Sequence, residues 1–241
     1  RILLSMELRE PSRYMQILKA IACGATKLGE IADKASVKTS EIGKYIRILE
    51  KDLDLIERKH PLLEEGKRGK TRYYLKNNFF RFWFSQVLPR NNPLEQGLYK
   101  QVAKQIQEQI DFYTSKTFEE IALQHFKTLV KKGEVKVTQI GKWWEKDVEI
   151  DCIAIDQKSN TAYFIEAKWT KKPVDKKALY KLIAKSEQFP WRKDKRKNVY
   201  VLYSRSGFTF QKEEDTKLYT LKDIERDLNK VKPAIKKFVQ Q

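Results

Sequence analysis

Cysteine is nearly missing from this chain: Cys23 and Cys152 are the only two in 241 residues. One falls near the end of an expected helix and the other inside an expected core strand. Neither belongs to a disulfide framework, so a reducing cytoplasm is the expected compartment. Histidine is equally scarce. His60 and His125 stand far apart in sequence, which argues against a zinc site. No apolar run approaches the ~18 residues of a membrane span, and no signal peptide is visible. No Gly-x-x-x-x-Gly-Lys-Ser/Thr phosphate loop occurs, so this chain is not expected to bind ATP by itself. It opens on Arg1 rather than Met, in Arg-Ile-Leu-Leu-Ser-Met, which reads as a fragment of a longer protein.

Positive charge is abundant. Lys and Arg number 50 against 32 Asp and Glu, a formal net charge of +18. Nucleic acid is the natural partner class for such a balance. High Lys and Glu usage also marks proteins from hot environments. A membrane surface fits poorly, because no amphipathic stretch joins a basic face to exposed Trp, Phe and Leu. With 41% apolar residues the chain can build a true core, and its length suits about two domains.

The first block, residues 1–76, reads as three helices and a hairpin. Residues 11–24 carry Tyr14, Ile17, Leu18 and Ile21 at helical spacing, with Ser12 as the expected cap and Gly24 as the stop. Residues 26–34 form a second short helix. Thr39 or Ser40 is the expected cap of a third helix, with Ile42, Ile46, Leu49 and Leu53 inward and Lys44, Arg47 and Lys51 outward. An extended segment, a basic Gly-rich tip and a strand at 71–75 complete a winged-helix layout. The third helix then enters a major groove, while Lys67, Arg68, Lys70 and Arg72 neutralise phosphates. Winged helices also bind proteins, and that reading stays open. No Asn or Gln on the outward face of the third helix offers an adenine contact, so base specificity is expected to be weak.

Residues 77–114 read as a connector. Phe79-Phe80-Arg81-Phe82-Trp83-Phe84 is a dense aromatic run, suited either to stacking on bases or, more simply, to welding domains together. Residues 89–93 look like a break, followed by a long polar helix from Leu94 to about Tyr113.

Residues 115–241 carry the chemistry. A helix is expected to start near Ser115, with Glu119 and Glu120 in its first turn. A first strand lies over 136–144, with Trp143 and Trp144 as packing residues. Glu149-Ile150-Asp151 opens a second strand, and a third ends in Phe164-Ile165-Glu166-Ala167-Lys168-Trp169. A crossover helix over 177–187, an apolar strand over 198–204 and helix over 221–239 follow. The class is α/β within an α+β whole, a mixed sheet flanked by helices. Acidic groups and a lysine at neighbouring strand ends suit metal-assisted phosphodiester cleavage. Glu-x-Lys on a strand is weak alone, since it is often an exposed ion pair. Asp151 within an apolar strand is harder to dismiss, because a buried carboxylate needs a partner.

This order and these residues resemble the PD-(D/E)xK nuclease superfamily, although Ile150 stands where that motif often has proline. The resemblance implies that Asp151 and Glu166 hold Mg²⁺ or Mn²⁺, joined by the Ala167 carbonyl. Lys168 would position the attacking water, and Glu119 or Glu149 would assist. Lys142, Lys171, Lys172 and Lys185 would hold the nucleic-acid backbone; the segment 171–197 has eleven Lys or Arg against three acids. More narrowly, the aromatic run, Gly141-Lys142-Trp143-Trp144 and the two strand motifs resemble the C-terminal part of a prokaryotic ATPase family abundant in archaea. Its members carry a P-loop ATPase, a winged helix and a nuclease-like domain. The resemblance implies a metal-dependent DNA endonuclease whose ATPase partner lies outside this fragment. The alternative is an inactive DNA-binding or protein-interaction module.

Overall fold

The computed structural model describes residues 10–64 and 69–229. The chain divides into two units: residues 1–60 with 64–110, and residues 61–63 with 111–241. The architecture is mixed α and β, and among the described residues no helix is long and apolar enough to cross a membrane.

The first unit opens with α1 (Pro11–Ala22), α2 (Leu28–Lys34) and α3 (Ile42–Arg47), which widens into a π-turn over Ile48–Asp52. Strands β1 (Ile56–Lys59) and β2 (Arg72–Leu75) pair antiparallel. The expected caps fail. Glu10 takes the N-cap of α1 because Pro11, which lacks an N–H, suits the first helical position. Glu41 precedes α3, with Thr39 and Ser40 left in a turn. The inward residues behave as their spacing predicts: Ile17, Leu18, Ile31, Ile42, Leu49 and Ile56 are fully buried in one cluster. Phe84 joins that cluster and Phe80 packs against it, whereas Phe79 is 62% exposed and stacks on Trp83 with ring centroids 6.3 Å apart. The aromatic run, carried by α4 (Asn78–Phe82) and the wide turn Trp83–Val87, is thus half core and half surface.

A short α5 (Asn91–Glu95) occupies the expected break and precedes α6 (Tyr99–Lys131), a single helix of 33 residues. No helix begins at Ser115. Its hydroxyl donates to the Phe112 carbonyl, which satisfies the side chain in mid-helix. Glu119 and Glu120 therefore lie far from any helix N-terminus.

The second unit is built on a five-stranded sheet of sequential order: β3 (Gln139–Glu145), β4 (Val148–Asp156), β5 (Thr161–Lys168), β6 (Lys197–Ser204) and β7 (Thr216–Thr220). The first two pairings are antiparallel and the last two parallel. Helix α7 (Lys176–Ser186) makes the crossover from β5 to β6, and α8 (Leu221–Asn229) follows β7. One face of the sheet (Cys152, Ala154, Ile165, Val201) packs on Phe118, Ala122 and Phe126 of α6 and Ile224 of α8. The other face (Ile153, Ile155, Phe164, Leu202) packs on Leu179 and Leu182 of α7. Trp143 and Trp144 are buried, as a packing role requires. Strand β7 escaped the sequence reading, and the helix expected to reach 239 is described only to Asn229.

The two cysteines differ sharply: Cys23 is exposed, whereas burial pushes the Cys152 thiol up to about 12. We expect one fast-reacting thiol in the native protein and a second only on unfolding, read with a chromogenic disulfide reagent. Two equally fast thiols would mean that β4 opens readily.

Candidate active site and its relatives

Antiparallel pairing of β3 with β4 is interrupted at the centre. Trp143 pairs with Ile150 and Gly141 with Ile153, so Asp151 and Cys152 together face Lys142. This is a β-bulge, which adds one residue and re-aims side chains. It explains why Ile150 and Ile153, three apart, both lie in the core on the α7 side. Segment 61–63 lies over the bulge: the Leu62 N–H donates to the Lys142 carbonyl at 2.8 Å. Gly141 permits this approach, since a Cβ there would sit 3.3 Å from Leu62 Cδ1.

Asp151 is half-buried on β4. Its Oδ2 accepts from the Ala167 N–H at 2.9 Å. Burial pushes its pKa up to about 7, with the charges of Glu119 and Glu166 raising it further, while the Ala167 N–H and Lys142 oppose. No ion pair to Asp151 forms among the described residues. Its carboxylate neighbours are better served. Glu119 accepts from Lys116 at 2.8 Å and from Lys142 at 3.2 Å. Glu166, only 6% exposed in its side chain, accepts from Lys168 at 2.6 Å and from Lys185 at 2.9 and 3.1 Å.

The structure therefore brings Asp151, Glu119, Glu166, Lys168, Lys142 and Lys185 into one charged neighbourhood. Lys142 and Lys185 sit on carboxylates. Lys171 pairs with Asp111 at 3.5 Å, and Lys172 is exposed. Glu149 is half-buried on β4, across from Trp144. In the first unit Lys44, Arg47 and Lys51 are exposed on α3 and its continuation, and Lys70 pairs with Glu64. Arg72 lies on β2; Lys67 and Arg68 lie outside the described residues.

Donor chemistry decides whether Mg²⁺ or Mn²⁺ suits this place. Among the described residues no group of three or more His, Cys, Asp or Glu could hold a metal ion. A hard divalent ion does not need that many, since Mg²⁺ is commonly held by one or two carboxylates plus substrate phosphate and water. Asp151, a half-buried carboxylate with one hydrogen bond among the described residues, fits the first of these roles. Glu166 fits the second only by giving up a lysine.

Three features went unread in the sequence. His125 is fully buried; its Nδ1 meets the Tyr203 hydroxyl at 2.9 Å and its Nε2 meets Asp227 at 3.2 Å. Burial lowers its pKa, keeping the ring neutral as a core residue. Arg196 is buried among backbone carbonyls. Arg205 stacks on Trp169, its guanidinium carbon 4.5 Å from the ring centroid. No motif flags these residues: the partners of His125 and Arg205 come from distant segments, and those of Arg196 are mainly backbone carbonyls of the preceding turn.

Residues 83–181, which span Glu119, Asp151, Glu166 and Lys168, match the DUF234 family, archaeal and bacterial proteins of unknown function. The chain is also 35% identical over 182 residues to an uncharacterized protein of Methanocaldococcus jannaschii, a match covering 74% of this chain and 41% of that one. The chain thus spans about two-fifths of the length of the curated relative it matches. No solved structure matches it.

Proposed function

We propose that the second unit hydrolyses phosphodiester bonds in DNA with the help of a divalent cation, and that the first unit binds the duplex. The observation that carries the proposal is Asp151, a desolvated carboxylate beside two others, supplied with a backbone N–H and no ion pair among the described residues. A half-buried negative charge, partly desolvated and beside two others, calls for a cation. Asp151 would hold it, with Glu166 and the Ala167 carbonyl as further oxygen donors. A bound Mg²⁺ or Mn²⁺ supplies polarisation of the phosphate and a water of lowered pKa. The protein's own contributions are positional. Lys168, on the same strand face as Glu166, places its ammonium at the edge of the cluster, where it can orient water and offset charge on a pentavalent phosphorus. Lys142 holds Glu119 beside Asp151 through a 3.2 Å ion pair.

Lys44, Arg47 and Lys51 form an exposed row suited to phosphates of duplex DNA, and the net charge of +18 favours the encounter. Attachment to an ATPase rests on the resemblance alone and belongs to the same proposal. A second reading, a DNA-binding module without catalysis, draws on the two lysines that already occupy Glu166. Incubation with plasmid and branched or single-stranded DNA plus Mn²⁺ separates the two. Metal-dependent nicking lost in Glu166→Ala and Lys168→Ala supports hydrolysis. Salt-sensitive binding with no nicking under any cation supports the module.

A further inference from the structure

The loops that follow β5 and β6 are tied together. The Arg205 N–H donates to the Lys168 carbonyl at 3.1 Å, and the Ser206 hydroxyl to the Thr170 carbonyl at 2.6 Å. The Val174 N–H donates to the Gly207 carbonyl at 2.9 Å, and the Thr209 N–H to the Val174 carbonyl at 3.0 Å. Ser204 braces the second loop, accepting from the Ser206 N–H and donating to the Gly207 carbonyl. These are the carboxyl ends of adjacent parallel strands, where ligands bind in open α/β sheets.

On this platform sit Arg205, Lys171 and Lys172. Arg205 lies against the Trp169 ring and gives one N–H to Asp111 at 3.2 Å. Asp111 also accepts from the Trp169 indole N–H at 3.1 Å and pairs with Lys171. The indole N–H, followed by Lys171 and Arg205, holds the Asp111 carboxyl below its ordinary range, so it stays charged. One carboxylate thus answers two cations and leaves a net positive charge. The Arg205 side chain is 32% exposed, and its Nε and second terminal nitrogen make no hydrogen bond among the described residues. Lys171 is 78% exposed in its side chain. Stacking and the Asp111 bond fix the guanidinium plane, while unused N–H donors remain for a bidentate oxyanion.

We infer that Arg205, held on Trp169 by Asp111 and flanked by Lys171, binds a backbone phosphate of the nucleic-acid strand next to Lys168. The inference rests on the nucleic-acid reading above and adds the residue that sets the strand's register at the site. Arg205 is a positioning residue in this role, not a participant in bond cleavage.

Binding without metal tests it apart from hydrolysis. A short fluorescein-labelled oligonucleotide is titrated with protein in EDTA at several salt concentrations, using the Lys168→Ala background. Arg205→Ala is expected to weaken binding about fivefold to tenfold and to lower the log–log salt slope by roughly one. Arg205→Lys should keep the slope and lose part of the affinity. Lys171→Ala, at an exposed position that cannot unfold the protein, should reduce the slope in the same direction. Lys158→Ala removes an equal charge from the turn between β4 and β5, and should change little. Equal losses at Lys158 and Arg205, or an unchanged slope in Arg205→Ala, would overturn the inference. Binding that depends on Arg205, beside a protein that cleaves nothing with any cation, would overturn the hydrolytic reading and leave this one standing.

Discussion

Asp151→Asn is expected to make the protein more stable and to abolish any cation-dependent cleavage. The sign follows from linkage. The Asp151 pKa is raised from 3.8 in the unfolded chain to about 7 in the fold, so between those values the native state holds a proton that the unfolded state has lost. Its contribution to stability is full below pH 4 and is lost progressively as pH rises toward 7. Allowing for residual solvent contact, ionised Asp151 costs about 2–4 kcal/mol at neutral pH. Asparagine keeps an oxygen for the Ala167 N–H and removes the charge. The melting temperature at pH 7.5 should rise by ~5 °C or more, and the decline between pH 4 and 7 should flatten. Divalent cations should raise the melting temperature of the native sequence and leave the variant unmoved. A variant that is less stable at pH 7.5, or that still responds to Mn²⁺, would remove Asp151 from the cation-binding role.

The second large effect belongs to Arg196, at the turn into β6. Its guanidinium donates to the carbonyls of Phe189 and Trp191 at 2.6 Å and of Ser186 at 2.8 Å, and its Nε donates to Asn198 Oδ1 at 2.8 Å. The group also lies over the rings of Phe164 and Phe189, 5.1 and 5.4 Å from their centroids. Burial lowers its pKa, and no carboxylate pairs with it among the described residues. Arg196→Ala strands three carbonyl oxygens at the end of α7, each costing about 1–3 kcal/mol when left unsatisfied. A total loss of about 3–5 kcal/mol is expected, measured by chemical denaturation. Lysine cannot span the same acceptors and should recover less than half. Because the acceptors are backbone carbonyls, added salt should not change the loss. A cost below 1 kcal/mol, or one that disappears in salt, would show that the carbonyls find water instead.

Much of the second unit was legible because its strands are short apolar runs with polar turns between them. Ile153, Ile155, Phe164 and Leu202 are buried where such runs must be. The turn between β4 and β5 is equally explicit: Asp156 accepts from the Lys158 N–H and the Ser159 hydroxyl, and Asn160 adopts the left-handed conformation that Asn tolerates. Helix α6 was misread as two because serine is a favoured cap, and only the bond to Phe112 shows that Ser115 serves itself. Strand β7 was missed because Thr-Lys-Leu-Tyr-Thr is short, at the sheet edge and half exposed. At the candidate site, the acids and Lys168 could be named from their strand context. Lys142 and Lys185 were read as grips on a nucleic-acid backbone, whereas in the structure both sit on carboxylates. Arg205 carried no signal, since its meaning depends on Trp169 and Asp111, 36 and 94 positions away.

The bulge at Asp151 and Cys152 has a consequence for how β4 tolerates length change. Strand sequences usually absorb substitutions on one face while forbidding insertions, since a single extra residue inverts every side chain beyond it. Here the extra residue is already present and the bulge absorbs it. Deleting one residue at this place would restore an unbroken ladder, a stronger strand by the ordinary rules of pairing. It would leave Ile150 and Ile153 two apart, still paired with Trp143 and Gly141 and still facing α7, and would put one side chain opposite Lys142 where two now stand. A related sequence that lacks this one residue could keep the same buried faces and the same Glu-x-Lys ending, yet it would have lost the local bend and twist that aim Asp151 toward Glu119.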